Sequence, residues 1–466
     1  MERTLWLDGL RGLASAGVLL YHSFMYDPAE LLAWLFNSYW DDPPEDNRRF
    51  LQLPPFHLLL AGSSMVSLFM VISGYAISTS LLKSRDDGAG DYLLARRLSS
   101  AATRRVLRLY LPVALVMTIN QILYFGNIYK FENEMPDSYF AGLKPLLSPW
   151  AHAKYLVWSV ICSLDISNHG PDINLDRAAR PDYANNLLQH LWTMPVELRG
   201  SCTVYLLILT MAFWQPQPRF LALAAVAAFW LYEGQWDLFA FIVGIIFTEK
   251  DLAADVEAYG ELELPGDSPP TQQPFSRARA YVANITRNIK ASSYVYHAQL
   301  TASVLLGTYL LSMCDIENVA PEYRWLLRFQ SPNWDSPEMR SRCWITIGAV
   351  LVIYAINQSS LLQRPLSSKP VQYLGRISFP LYLIHPMVFN TMKTRIRSLL
   401  WVLLMHESFP GTVEASKRSI HLLGVAWGGA LLFCIVASIL LADLWERHID
   451  RKCLGAARRF AKWVTH

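Results

Sequence analysis

Charge is scarce in this chain. Only 17% of its 466 residues are Asp, Glu, Lys or Arg, while 53% are hydrophobic. A soluble domain carries about 25% charge, so a water-soluble globule of this length is disfavoured. The net charge of +3 is too small to argue for a nucleic-acid partner. Cysteine is sparse as well. Cys162, Cys202, Cys314, Cys343, Cys434 and Cys453 are scattered, several inside apolar runs, with no C-x-x-C and no His-rich spacing. That pattern indicates neither a disulfide framework nor a metal site. No internal repeat is evident, which removes support for a repeat-built transporter. The first apolar run begins at about residue 5 without a basic n-region or a small-x-small cleavage site. It is therefore expected to be a retained transmembrane helix and not a cleaved signal.

What the chain does have is long apolar runs, with sixteen Trp and twenty-two Tyr suited to interfacial belts. Spans are expected at about 7–26, 57–82, 106–127, 191–214, 219–233, 235–249, 294–313, 343–362, 372–390 and 420–444. Residues 150–163 form a weaker apolar stretch, expected to be interfacial or re-entrant. The block from Lys83 to Arg108 is basic, which places it in the cytosol. Ten spans then return the tail of about 445–466, with Arg447, Arg451, Lys452, Arg458, Arg459 and Lys462, to the cytosol as well. The segment of about 250–293, with Pro265, Pro269, Pro270 and Pro274, reads as a flexible cytosolic linker. Its Asn284-Ile285-Thr286 sequon should accordingly stay unmodified. The expected fold is an all-α, polytopic integral membrane protein of about ten helices, one membrane domain over 1–466, with both termini cytosolic.

Four places put polar groups at membrane depth, where ionisable residues are costly. On the first helix Asp8, Arg11, Ser15 and His22 share one face. Eleven steps of 100° bring His22 round to within about 20° of Arg11, roughly 16 Å further along. Glu197 lies about two turns into a later span; it can orient an imidazole or form an ion pair with Arg199 or Arg11. Ser378, Tyr382 and His385, spaced i, i+4, i+7, line one face of another span, beside Pro380 and Pro386. Arg96, Arg97, Arg104, Arg105 and Arg108 suit either lipid headgroups or the phosphates of an anionic cosubstrate. His297, flanked by Tyr294 and Tyr296, is a weaker, interfacial candidate. The residues alone fit proton transfer at a buried site fed by a phosphate-bearing donor from the cytosol. They fit a proton-coupled transporter equally.

The motifs separate these readings. Leu7-Asp8-Gly9-Leu10-Arg11 through Tyr21-His22 resembles the opening signature of the acyltransferase 3 family of integral membrane acyltransferases. Leu68-Phe69-Met70-Val71-Ile72-Ser73-Gly74-Tyr75 resembles its second-helix motif. Arg104-Arg105-Val106-Leu107-Arg108 resembles the basic approach to its third helix. Leu191-Trp192 with Val196-Glu197 is similar to its Trp/Glu motif. Leu374-Gly375-Arg376-Ile377-Ser378 through His385-Pro386 and Trp445-Glu446-Arg447 resemble its late segments. The blocks occur in family order over essentially the whole chain. Ser67 stands where many relatives carry an acid and Leu198 where some do, and the Glu197-Leu198-Arg199-Gly200-Ser201 wording looks like the fungal branch.

The resemblance implies O-acylation: transfer of acetyl, or another short acyl group, from acyl-CoA to a hydroxyl of a lipophilic small molecule, such as a secondary metabolite. A glycan or lipid acceptor is the alternative. It implies catalytic roles for His22, Glu197 and Arg11, acyl-CoA contacts from Arg104, Arg105 and Arg108, and an acceptor cavity near Asp8, Ser73, Tyr382 and His385. Acetyl-CoA would be a co-substrate, with no bound cofactor or metal, no nucleic acid, and an endoplasmic-reticulum or other endomembrane location.

Overall fold

The computed structural model describes residues 5–25, 33–86, 91–129, 144–167, 188–260, 293–313 and 320–465. Among the described residues all regular structure is helical. In chain order the helices are α1 (Leu5–Met25), α2 (Gly62–Asp86), α3 (Asp91–Phe125), α4 (Pro149–Ser163), α5 (Thr193–Thr210), α6 (Pro216–Tyr232) and α7 (Trp236–Gly260). They continue with α8 (Ser293–Leu311), α9 (Pro337–Gln358), α10 (Ser360–Leu366), α11 (Lys369–Met405), α12 (Thr412–Trp445) and α13 (Arg451–Thr465).

A helix stands at each position where a span is expected. Among the described residues four helices, namely α2, the Tyr92–Phe125 stretch of α3, α9 and the helix that begins at Thr412, are long and apolar enough to cross a membrane. The others are shorter or more polar. At 15 residues α4 is about 22 Å long, below the ~30 Å of a hydrocarbon core.

Three boundaries differ from expectation. Residues 91–105, which belong to the basic block ahead of the expected span at 106, are already part of α3, because Leu, Ala and Arg there are strong helix formers. Where the linker is expected to start, α7 continues to Gly260; the rest of that linker, with Asn284, lies outside the described residues, as does Cys314. Finally, α11 runs 37 residues to Met405, well past the expected 390.

The chain forms two compact units. The first comprises Met1–Asn37, Arg104–Leu198 and Ser368–Trp463; the second comprises Ser38–Thr103, Arg199–Ser367 and Val464–His466. In the second unit α2 and α7 approach through glycines. A Cβ on Gly244 would lie 2.4 Å from the Tyr75 amide nitrogen. Hydroxyl pairs tie α2 to its neighbours, Ser78 to Thr248 of α7 at 2.7 Å and Ser67 to Thr346 of α9 at 3.0 Å. Ser67 is thus a neutral partner inside a helix seam. Glu249 bridges Arg85 and Arg219.

In the first unit α1 lies along α11. A Cβ on Gly12 would sit 2.4 Å from the Gly375 nitrogen, and one on Gly375 would sit 2.4 Å from the Asp8 carbonyl oxygen. Contacts step along both helices in one direction, Ser15 to Ser378, His22 to His385 and Ser23 to Lys393, so the two run parallel. Small residues let the backbones meet and leave polar side chains to bond across the seam. Beyond them α11 packs on α12 through Trp401, Ala415, Leu423 and Ala426.

Candidate active site

The register of α1 on α11 builds the site. Ser15 donates its hydroxyl hydrogen to the Ser378 carbonyl at 2.9 Å. Seven residues on, along parallel helices, both chains carry histidine. Two turns of 3.6 residues nearly equal seven steps, so both imidazoles return to the seam at one height. The His22 Nδ1 lies 3.0 Å from the His385 Nε2, and the rings stack with centroids 5.1 Å apart. His385 is fully buried; His22 is half-buried.

The protons of the neutral pair follow from the carbonyls. The His385 Nδ1 is 3.0 Å from the Leu381 carbonyl oxygen, which can only accept. That nitrogen therefore carries the proton, and the His385 Nε2 is an acceptor. His22 must then donate from Nδ1. The His22 lone pair is left on Nε2.

A third imidazole, His190, completes the cluster. Its ring centroid is 5.3 Å from His385, 5.1 Å from Tyr382 and 6.4 Å from His22. The His190 Nε2 is buried with no hydrogen-bond partner among the described residues. The sequence reading passed over this residue, although it stands two positions before the singled-out Trp192, at the expected mouth of a span. Tyr382 donates to the His190 carbonyl, and its oxygen is 2.5 Å from the Thr193 hydroxyl. His22 and His385 stack, and His190 meets each of them edge-on. Among the described residues no group of three His, Cys, Asp or Glu could hold a metal ion.

Arg11 lies roughly 16 Å from His22 along α1. Its Nη2 contacts Asp8 at 2.9 Å, and its Nε donates to the Ser378 hydroxyl at 3.1 Å. The next charges in its field are Arg108 and Asp450. Burial pushes the Asp450 carboxyl above its ordinary value, Glu446 adds to that, and Arg108 and Arg11 oppose it.

Glu197 receives a charge-assisted hydrogen bond from the Arg105 Nη2, both side chains being largely buried. Neither cation considered from sequence holds that place. Arg199 instead pairs with Asp237 at 3.4 Å and donates to Gln235 at 2.7 Å in the second unit. The contact on the His22 Nδ1 comes from His385. Of the three arginines assigned to acyl-CoA, Arg105 is thus joined to a carboxylate, Arg104 is half-buried and Arg108 is exposed. Ser73 belongs to the second unit, whereas Asp8, Arg11, His22, Glu197, Tyr382 and His385 all belong to the first.

A family model described as an acyltransferase domain matches residues 4–253. An O-acetyltransferase of Phomopsis amygdali is 26% identical over 478 residues, covering 100% of this chain and 85% of that protein. An acyltransferase of Cochliobolus lunatus is 24% identical over 502 residues, covering 98% and 96% respectively. An acyltransferase of a Phoma species is 21% identical over 493 residues, with 98% and 96% covered. No solved structure matches the chain.

Proposed function

The chain belongs to the acyltransferase 3 family, and on that premise we propose that it moves an acetyl or other short acyl group from acyl-CoA to a hydroxyl of a lipophilic small molecule. The observation that carries this reading is the His22–His385 hydrogen bond, whose proton arrangement leaves a lone pair on the His22 Nε2. That nitrogen is the general base. It takes the acceptor's hydroxyl proton as the oxygen attacks the thioester carbonyl. The new ester C–O bond forms, the C–S bond breaks, and the departing CoA thiolate takes the proton back from His22. His385 stabilises the transient imidazolium of His22 through the shared hydrogen bond.

The remaining residues take roles that follow their surroundings. The His190 Nε2, which has no partner among the described residues, suits a hydrogen bond from the acceptor's hydroxyl. Tyr382, tied to Thr193 and to the His190 backbone, shapes the acceptor cavity without joining the proton transfer. Arg108 contacts the CoA phosphates at the cytosolic mouth, and Arg11 with Asp8 lines the path of the pantetheine arm. Glu197 acts through Arg105. The protein is read as multi-pass in an endomembrane with both termini cytosolic. A secondary metabolite is the favoured acceptor; the relatives from Phomopsis amygdali and Cochliobolus lunatus support acyl transfer, the first of them O-acetylation.

The test uses membranes containing the chain or a His22→Ala variant at equal expression. They are given radiolabelled acetyl-CoA and a lipid-soluble extract of the host. Label should enter an organic-soluble product with the wild type and not with the variant. Product from both would move the chemistry to another residue, His385 first. Acceptor-independent transport with no acyl-CoA turnover would replace this reading with a proton-coupled carrier.

A further inference from the structure

Between α8 and α9 the chain builds a surface that the acyl-transfer site does not use. Pro321–Phe329 is a 3₁₀ helix in the second unit. At three residues per turn, Tyr323 and Leu326 share one edge, and both are buried. Arg324 with Leu327 and Trp325 with Arg328 form the other two edges. All four are exposed, as is Phe329 at the end. Trp325 is 48% and Phe329 68% exposed, with ring centroids 6.1 Å apart. Each outer edge thus joins an arginine to an apolar side chain. In water such rings are costly, since each withholds apolar area from burial. At a bilayer surface the same mixture is favoured, because rings sit at headgroup depth and arginines meet phosphates.

Hydrogen bonds fix the depth of this segment. The Trp325 Nε1 donates to the Tyr309 hydroxyl oxygen at 3.1 Å, and that hydroxyl donates to the Glu322 carbonyl at 2.6 Å. The Tyr323 hydroxyl donates to the Tyr309 carbonyl at 2.9 Å. Tyr309 stands about 3 Å along the axis from Leu311, the end of α8. The Leu311 carbonyl accepts from Ser64, in the first turn of α2. Downstream, Ser331 donates to the Tyr232 carbonyl at 2.6 Å and the Trp334 Nε1 to the Leu231 carbonyl at 2.7 Å, both at the end of α6. Shortly after Trp334, α9 begins at Pro337. The segment is therefore held level with the adjoining ends of α2, α6, α8 and α9. Of these, α2 and α9 are long and apolar enough to cross a membrane. Its lateral place is fixed as well. Ala298, Ala302, Leu305 and Tyr309 fall within about 60° of one another on α8. The first three are exposed, Leu305 at 67%. Trp325 thus sits at the head of the outward stripe of α8.

We infer that Pro321–Phe329 is an interfacial segment whose exposed rings and arginines rest among lipid headgroups where α2 and α9 enter the bilayer. The inference rests on those two helices crossing the membrane and is independent of acyl transfer. Continuity commits the occupant to lipid. The surroundings that face Leu305 also face Trp325, one turn nearer the end of α8, where headgroups replace acyl chains. Charge complementarity agrees, since Arg324 and Arg328 offer donors to the lipid phosphates.

The full chain is reconstituted in phosphatidylcholine nanodiscs, with Phe329 replaced by a fluorescent amino acid through codon suppression. Quenching is read with lipid carrying a nitroxide at the headgroup, with lipid carrying it near the acyl-chain end, and with aqueous iodide. The headgroup nitroxide should quench about threefold more than the chain-end nitroxide, and iodide only weakly. At Leu305 the same probe should shift toward the chain-end nitroxide. The exposed double variant Arg324→Glu, Arg328→Glu should lower headgroup quenching at Phe329 about twofold and admit iodide, while eluting as the same monodisperse species. Where that variant does not fold, the comparison of Phe329 with Leu305 decides alone. Free access of iodide to Phe329 without lipid quenching would overturn the inference. So would stronger quenching there from the chain end than from the headgroup, shielding that appears only when a second protein is added, or a folded double variant indistinguishable from the parent.

Discussion

His22 and His385 share a hydrogen bond of 3.0 Å, and the Leu381 carbonyl decides which ring holds which proton. Loss of the second imidazole should therefore cost orientation and basicity without emptying the site. For His385→Ala, kcat should fall about 10²-fold with little change in the acceptor KM. His385→Gln, whose amide oxygen can accept from the His22 Nδ1, should recover part of that loss. Initial rates across a pH series check both points. A merely structural role would leave the pH profile of the residual activity unmoved.

The crossing of α1 and α11 depends on the absence of two side chains. Alanine is ordinarily the better helix residue, by about 1 kcal/mol over glycine. At Gly12 and Gly375 the added carbon would meet backbone at 2.4 Å, and backbone cannot rotate away. Gly12→Ala and Gly375→Ala should each destabilise the protein by about 1–3 kcal/mol and lower the activity with it. Gly428→Ala is the control, since a Cβ there meets nothing within 4 Å. Thermal unfolding in detergent should order the three variants accordingly.

The short helix α4 supplies a pH-dependent contact outside the spans. The Leu146 N–H donates to the His152 Nε2 at 3.0 Å, and Nδ1 is 2.5 Å from the Gln121 amide. Burial lowers the His152 pKa. The neutral ring is the one that accepts, so this contact is fully present above the ordinary histidine pKa of about 6.5. It is lost as pH falls through the lower, folded value. Exchange of the Leu146 amide, corrected for intrinsic rate, should quicken between about pH 7.5 and about pH 5. His152→Gln should remove that dependence.

Much of this site was legible because helical periodicity carries it. The stripe Asp8, Arg11, Ser15, His22 and the face Ser378, Tyr382, His385 each follow from residue spacing, and the structure sets them on α1 and α11 of one unit. What periodicity cannot supply is register between helices. The glycine pair that brings Asp8 to Gly375, and the shared seven-residue step that brings His22 to His385, are properties of two segments some 360 residues apart. His190 was overlooked for a related reason. It lies in a 3₁₀ turn, Gln189–Trp192, where no helical pattern marks it. Charge posed the opposite problem: Arg105 and Glu197 were each visible, but a carboxylate at depth has several possible cations, and only the packing chooses among them.

That choice gives Arg105 and Arg108 separable roles. Arg105 is held by Glu197, with side chains 18% and 10% exposed. Arg105→Ala leaves a largely buried carboxylate without that cation. Fully buried pairs lose about 3–5 kcal/mol on such a cut, and some access to solvent reduces the figure here to about 1–3 kcal/mol. The double variant Arg105→Ala, Glu197→Ala should recover much of that stability, because neither charge is then stranded. Arg108 is exposed and should act on the cosubstrate instead. Arg108→Ala should raise the acyl-CoA KM about tenfold at nearly unchanged kcat, the size of one charged hydrogen bond. Melting temperatures and acyl-CoA saturation curves on the three variants decide the division. Were Arg105 the phosphate ligand, the double variant would regain stability and still show a raised acyl-CoA KM; if its work is to hold Glu197, that KM stays at the wild-type value.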